Sequence, residues 1–207
     1  MADQINFDWK TVYKNIELTE MPWYSPNLDN DMQNTLDKLG LRSGTILDLG
    51  TGPATQAKKL EEKGFEVTGT DISKDAILLV KQTYQNIEFI QDDILKTKLK
   101  KKFDFIFDRG CFHIIDVDKR EIYAKNVFSL LNDSGLLFLK CFSNKVPETG
   151  FGPHRISEQI IKDTFGRYFI IEDIKETEFK NDKNSRSMKA LFVIMKKQSE
   201  FVTSKNN

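Results

Sequence analysis

Thr45-Ile46-Leu47-Asp48-Leu49, followed at once by Gly50-Thr51-Gly52-Pro53-Ala54, decides the fold of this chain. The first five residues read as a buried strand, and Ala54, Ala57 and Leu60 then recur at helical spacing until Gly64. Between strand and helix, Gly50 and Gly52 leave out side chains that would hold a ligand away from the backbone. The helix start adds free N–H groups and a positive dipole end. Pro53 fits the first helical turn, where its missing N–H has no partner to lose. A tight strand-to-helix turn without any ligand accounts for the same glycines.

Working outward, Phe65 to Thr70 is a second strand, and Ser73 can cap a helix carrying Ala76, Ile77, Leu79, Val80 and Tyr84. Ile87 to Ile90 and Phe103 to Phe107 are a third and fourth strand. A helix follows from about Asp118 to Leu131, with Ile122, Val127, Leu130 and Leu131 inward. Gly135 to Lys140 is a fifth strand, and Ile156, Ile160, Ile161 and Phe165 mark another helix. Strand–helix alternation predicts an α/β, doubly wound, mainly parallel sheet covered on both faces. The closing runs, Tyr168 to Phe179 and Met188 to Met195, are separated by about eight residues, too few for a parallel crossover, so they must be antiparallel.

Residues 1–40 are expected to form an N-terminal helical lid segment, residues 41–197 the main domain, and residues 198–207 a polar tail. Within the lid, Phe7, Trp9, Val12, Tyr13 and Ile16 predict a short helix, and Leu28, Met32, Leu36 and Leu39 a second. Between them lies Met21-Pro22-Trp23-Tyr24-Ser25-Pro26.

Composition removes several functions. Lys+Arg and Asp+Glu both number 31, a formal charge of zero. Nucleic-acid binding is built on clustered surplus cations, and attraction to an anionic membrane needs the same, so neither partner is expected. The lysine run from Lys96 to Lys102 has acidic neighbours and no interleaved aromatics, and reads as a solvated loop. No apolar stretch is long enough to span a bilayer, and the first residues lack the pattern of a signal peptide. The 2 cysteines, Cys111 and Cys141, form no C-x-x-C motif, and 2 histidines are too few for a zinc cluster. The expectation is a cytoplasmic protein with reduced thiols and no metal, a monomer or weak dimer acting on a small molecule.

Three strand ends carry ligand-compatible groups. A dinucleotide fingerprint would need glycine at position 55, where Thr55 stands, so a nicotinamide cofactor is disfavoured. Asp71 ends the second strand, 21 residues beyond Gly50. There a carboxylate can accept from both hydroxyls of an adenosine ribose, or cap the next helix. After the third strand, Asp93 can accept from an adenine amine while the Ile94 N–H donates to the ring; a plain loop carboxylate is the alternative. All three lie on the carboxyl edge, where open α/β sheets bind ligands.

With these residues placed, the chain resembles the class I S-adenosylmethionine-dependent methyltransferases, through Asp48-Leu49-Gly50-Thr51-Gly52, Asp71, Asp93-Ile94 and the terminal antiparallel strands. Within them it is most similar to the thiopurine S-methyltransferase group and its tellurite-resistance relatives. That likeness lies in the stretch from Phe103 through Asp108-Arg109-Gly110 to Leu131, and in Gly152-Pro153-His154-Arg155-Ile156-Ser157. The family often has a third glycine where this chain has Ala54. The resemblance implies seven strands with the last antiparallel, and S-adenosylmethionine as cofactor. Gly50, Thr51 and Gly52 would meet its methionine part, Asp71 its ribose, and Ile72, Asp93 and Ile94 its adenine, with Asp48 also counted among the cofactor-binding residues. Asp108 completes the cofactor set, and Trp23 looks like the tryptophan that covers the cofactor in the thiopurine group, or else anchors the N-terminal segment.

Asp108-Arg109-Gly110-Cys111-Phe112-His113 is the natural acceptor wall. Arg109 either holds an anionic substrate group or pairs with a carboxylate such as Asp108. His113 is the candidate for relaying a proton near neutral pH, or is held by the backbone. Tyr24, Cys111 and Arg155 are the other acceptor-side candidates, with Cys111 read as packing rather than as a nucleophile. Methyl transfer from a sulfonium is an in-line displacement in which the protein mainly aligns the acceptor and excludes water. A thiol, selenium or tellurium acceptor needs no dedicated base, whereas an amine or hydroxyl more often does. The leading expectation is therefore a small-molecule methyltransferase acting on a soft nucleophile. The alternatives are an N- or O-methyltransferase of a metabolite and a non-catalytic cofactor-binding module.

Overall fold

The computed structural model describes residues 13, 17–21, 23–146, 153–180 and 187–199. The expected helix over Phe7 to Ile16, apart from Tyr13, lies outside the described residues. So do Pro22, Pro147, Gly150, Gly152 and nearly all of the polar tail.

Seven strands form one sheet in the order β3-β2-β1-β4-β5-β7-β6. These are β1 (Thr45–Leu49), β2 (Glu66–Asp71), β3 (Glu88–Gln91), β4 (Phe103–Arg109), β5 (Leu131–Phe142), β6 (Phe169–Lys180) and β7 (Ser187–Lys197). β1 to β5 pair in parallel, and β7 runs antiparallel to both β5 and β6, as the short final loop requires. The helices are α1 (Asn30–Leu39), α2 (Thr55–Glu61), α3 (Lys74–Thr83), α4 (Arg120–Leu130) and α5 (Glu158–Phe165).

Each face of the sheet has its own core. Ile46, Phe107, Phe138 and Phe192 pack under Met32 and Leu36 of α1, Ala57 and Leu60 of α2, and Ile77 and Val80 of α3. On the other face, Leu47, Ile106, Leu137, Leu139 and Val193 pack under Tyr123 and Val127 of α4 and Ile161 and Phe165 of α5. Burial on both faces is why the central strands read as unbroken apolar runs.

Several expectations are corrected. α1 is part of the main body rather than of a lid, because Met32 and Leu36 sit in the core. Asp29 caps it by accepting from the Asp31 N–H, and Gly40 ends it at a positive φ of 66°. In α4 the inner stripe is Arg120, Tyr123, Ala124, Val127 and Leu130, while Ile122 is 46% exposed. A 3-10 turn over Val117–Lys119 precedes the helix start at Arg120, and Ile122, five residues before Val127, lies about 140° away from it around the helix. Pro53 lies before α2, which begins at Thr55, and Ile156 bridges Ser143 ahead of α5. Lys101 of the lysine run pairs with Glu66 at 2.7 Å on the surface.

Candidate cofactor and acceptor site

The site is built where the chain leaves the carboxyl ends of β1, β2, β3 and β4. Three residues of the first turn adopt positive φ: Gly50 at 72°, Gly52 at 49° and Ala54 at 56°. The last explains the family's preference for a third glycine, since an L-residue pays about 1–2 kcal/mol in that region. The turn is tied down on both sides. The Thr51 N–H donates to the Thr70 carbonyl at 2.7 Å and its hydroxyl to Asp48 at 2.6 Å. Burial pushes the Asp48 carboxyl up to about 6 against the Thr51 hydroxyl and the Ala57 N–H, so Asp48 shapes the turn from beneath.

Asp71 accepts from the Gly52 N–H at 3.0 Å and the Ser73 N–H at 2.8 Å. It does not cap α3; the Ser73 hydroxyl does, by accepting from the Ala76 N–H. Burial raises the Asp71 carboxyl, and only backbone N–H groups oppose that rise. Among the described residues no cation lies within ion-pair distance of it. Beside it, the Gln91 amide donates to the Ile72 carbonyl, and Asp93 accepts from the Leu95 N–H with Lys96 at 3.5 Å. Ile94 is buried, its carbonyl taken by Asn126.

The end of β4 departs from expectation. Asp108 is fully buried and accepts from the Gly110, Cys111 and Phe112 N–H groups at 3.0, 2.7 and 2.9 Å, and from the Tyr123 hydroxyl. Both oxygens are committed to holding the turn, so a direct cofactor contact is corrected to an internal brace. Burial pushes its carboxyl up to about 6 in spite of these donors. Cys111 sits opposite the first glycine, where a Cβ on Gly50 would stand 3.1 Å from the cysteine Cβ. Burial, with the Asp108, Asp71 and Asp93 charges, holds its thiol well above the usual value, so it is no nucleophile at neutral pH.

His113 is buried. Its Nδ1 accepts from the Phe142 N–H at 3.0 Å, and its ring stacks on Phe142 with centroids 4.6 Å apart. Burial, together with the Arg155, His154 and Arg109 charges, lowers its pKa to about 3. The expectation of a proton relay near neutral pH is therefore corrected: the imidazole is neutral and engaged by the backbone. Arg109 pairs with Asp29 at 3.0 Å rather than with Asp108, and donates to the Trp23 carbonyl at 3.2 Å. Arg155 donates to the Pro153 carbonyl and lies over the Phe142 ring at 5.3 Å. Tyr24, expected on the acceptor side, packs against the cluster of Tyr13, Met21 and Ala76 of α3.

Two features escaped the sequence reading. Lys140, 2% exposed, is held by Asp29 at 2.8 Å and Asp31 at 2.8 Å, and Asp31 also receives Lys175 and the Thr177 hydroxyl. Burial would raise Asp31, but Lys140, Thr177 and Lys175 keep it below the usual carboxylate range. A lysine in the apolar run of β5 was the available signal. The second is Tyr13, whose hydroxyl accepts from the Trp23 indole N–H at 3.1 Å.

The four strand-end carboxylates, Asp48, Asp71, Asp93 and Asp108, suit a cofactor that carries positive charge, and the lone Asp71 suits sugar hydroxyls. At Gly50 and Gly52 an added side chain would run into Cys111, Tyr13 and Trp23, so the turn stays bare and its backbone close to these groups. Among the described residues no cluster able to hold a metal ion occurs, and no helix is long and apolar enough to cross a membrane.

Comparison with known proteins agrees. Residues 46–135 match the model of a methyltransferase domain. An uncharacterised methyltransferase of Schizosaccharomyces pombe is 32% identical over 113 residues, covering 52% of this chain and 78% of that protein. Thiocyanate methyltransferase 1 of Arabidopsis thaliana is 26% identical, covering 56% of this chain and 54% of its own length. A solved structure described for the conversion of a disulfide bond into a thioacetal group during echinomycin biosynthesis shares the fold, with a TM-score of 0.76, 22% identity and 91% of each chain covered. The glycine turn, the strand order and these relatives agree, and the chain belongs to the class I S-adenosylmethionine-dependent methyltransferases.

Proposed function

We propose that the protein transfers the methyl group of S-adenosylmethionine to a small soft nucleophile, a thiol or a related selenium, tellurium or pseudohalide species, that arrives as an anion or loses its proton readily. In this reading Gly50, Thr51 and Gly52 carry the methionine part of the cofactor and Asp71 accepts from its ribose hydroxyls. Ile72, Asp93 and Ile94 flank the adenine, and Trp23 covers the cofactor. The acceptor approaches from the side of Arg109 and Cys111.

One observation carries the choice of acceptor. His113, the expected base, has a pKa of about 3 and has given its Nδ1 lone pair to the Phe142 N–H. A base that weak takes few protons from an amine or phenol at neutral pH. The relative that acts on thiocyanate agrees with the same class of acceptor. The test is incubation with radiolabelled methyl donor and a panel of thiols, thiocyanate, metalloid oxyanions, amines and phenols. The expected result is methylation of thiols or thiocyanate, at rates that follow the ionised fraction of the acceptor. Efficient methylation of an amine or phenol, with the soft acceptors inert, would overturn the assignment.

A further inference from the structure

Tyr13 is 7% exposed, and its oxygen lies directly over the glycine turn: a Cβ added to Gly52 would stand 2.8 Å from it. The Trp23 indole meets the same oxygen as a donor at 3.1 Å, with the two rings edge to face at 6.1 Å. One lone pair of the phenol is thus consumed, and its own O–H remains to be donated. Among the described residues it has no acceptor within hydrogen-bond distance. Burial and the nearby Asp71 charge raise its pKa, so the group stays protonated and is a donor wherever the protein is folded. The indole N–H polarises the phenol and strengthens that donor.

We propose that Tyr13 is a cofactor-binding residue that donates its O–H to the carboxylate of the amino-acid part of S-adenosylmethionine. The inference rests on the reading of the glycine turn as the seat of that part. The cofactor's sulfonium and ammonium are served by the carboxylates around the strand ends, and its ribose hydroxyls by Asp71. Its carboxylate gains nothing from Asp48, Asp71, Asp93 or Asp108, all of which repel it. It needs a donor, and Arg109 and Lys140 are already paired with Asp29 and Asp31. A neutral phenol over Gly52 meets the need without burying another cation.

The test compares the full-length wild type with Tyr13→Phe by calorimetry. Two ligands are used: S-adenosylhomocysteine, and its decarboxylated analogue, in which only the carboxylate is missing. Loss of a hydrogen bond to a charged group predicts about tenfold weaker binding of S-adenosylhomocysteine by the variant. The analogue should bind both proteins within about twofold, since the group that Tyr13 addresses is gone. Trp23→Phe removes the polarising N–H and also part of the ring that covers the cofactor, so it weakens both ligands, S-adenosylhomocysteine more than the analogue. It serves as the readout if Tyr13→Phe does not fold. Equal losses for both ligands, or no loss for either, would overturn the proposal while leaving the cofactor assignment intact. Failure of the wild type to bind either ligand would remove that assignment, and this inference with it.

Discussion

Replacing His113 by Asn tests the claim on which the choice of acceptor rests. In the unfolded chain the imidazole titrates near 6.5, whereas in the folded protein burial and the surrounding cations hold it at about 3. Between those values only the unfolded state carries the proton, so the folded state loses stability as pH falls below 6.5. Each unit of pH in that window costs about 1.4 kcal/mol, and the loss from pH 7.5 to pH 5.0 is about 2 kcal/mol. Asp48 and Asp108 act in the opposite sense. Their folded values of about 6 exceed the usual 3.8, so the folded state binds protons first and gains stability as pH falls through that range. They are present in both proteins and cancel in the comparison. Asn keeps an acceptor near the position of Nδ1 for the Phe142 N–H, but loses the ring stacked on Phe142. The variant is therefore weaker at pH 7.5, and only the change in the gap with pH is diagnostic. Urea unfolding of both proteins at pH 7.5 and 5.0 measures it, and the deficit of the variant should shrink by about 2 kcal/mol at the lower pH. A gap constant to within about 0.5 kcal/mol would mean that the folded protein protonates His113 freely. The imidazole would then be an effective base, and the case for a soft acceptor would fail.

Asp71→Ala should weaken S-adenosylhomocysteine binding by about 1–3 kcal/mol in calorimetry, through lost hydrogen bonds to a charged group. Lys140→Met leaves Asp29 and Asp31 with fewer countercharges in a buried cluster and should cost about 3–5 kcal/mol in urea unfolding. Ala54→Gly relieves an L-residue at a positive φ of 56°, and should raise stability by about 0.5–1 kcal/mol in the same assay, net of the entropy glycine adds to the unfolded chain.

What the sequence made legible is what neighbouring residues decide among themselves. The apolar run of Thr45–Leu49, the glycines after it and Asp71 at the end of β2 are local patterns, and the parallel sheet follows from their alternation with helices. Ion partners are decided by strand register instead, and that information is spread along the chain. Arg109 of β4 stands opposite Lys140 of β5, Lys140 opposite Phe192 of β7, and Phe192 opposite Lys175 of β6. In-register neighbours point to one face, so three cations from three strands meet on the side where Asp29 and Asp31 enter. Asp108, adjacent to Arg109 in sequence, points to the opposite face of the sheet and is committed to the Tyr123 side. The misplaced role of His113 has the same origin: its burial depends on Phe142, 29 positions away, and on Phe179 beyond that. Ile122 failed for a shorter-range reason: five residues before Val127, it lies about 140° from the inner stripe, which Tyr123 and Ala124 occupy instead.

The strand ends also sort the charges of the site into two groups, and that sorting bears on the proposed chemistry. At the ends of β1, β2 and β4, Asp48, Asp71 and Asp108 are held by hydroxyls and N–H groups with no cation as a hydrogen-bond or ion-pair partner among the described residues. Arg109 at the end of β4, Lys140 near the end of β5 and Lys175 in the middle of β6 are matched by Asp29 and Asp31. A sulfonium approaching an anionic acceptor loses charge as it reacts, so strong fields on the reactants would hold them back more than the transition state. For the anionic acceptor proposed above, pairing these cations with Asp29 and Asp31 would weaken their hold on the anion, while the carboxylates would favour a charged donor over its neutral thioether product. On that proposal the buried cluster at Asp29 and Asp31 would do more than fasten α1: it would lower the net positive charge beside the acceptor, which favours the collapse of opposite charges.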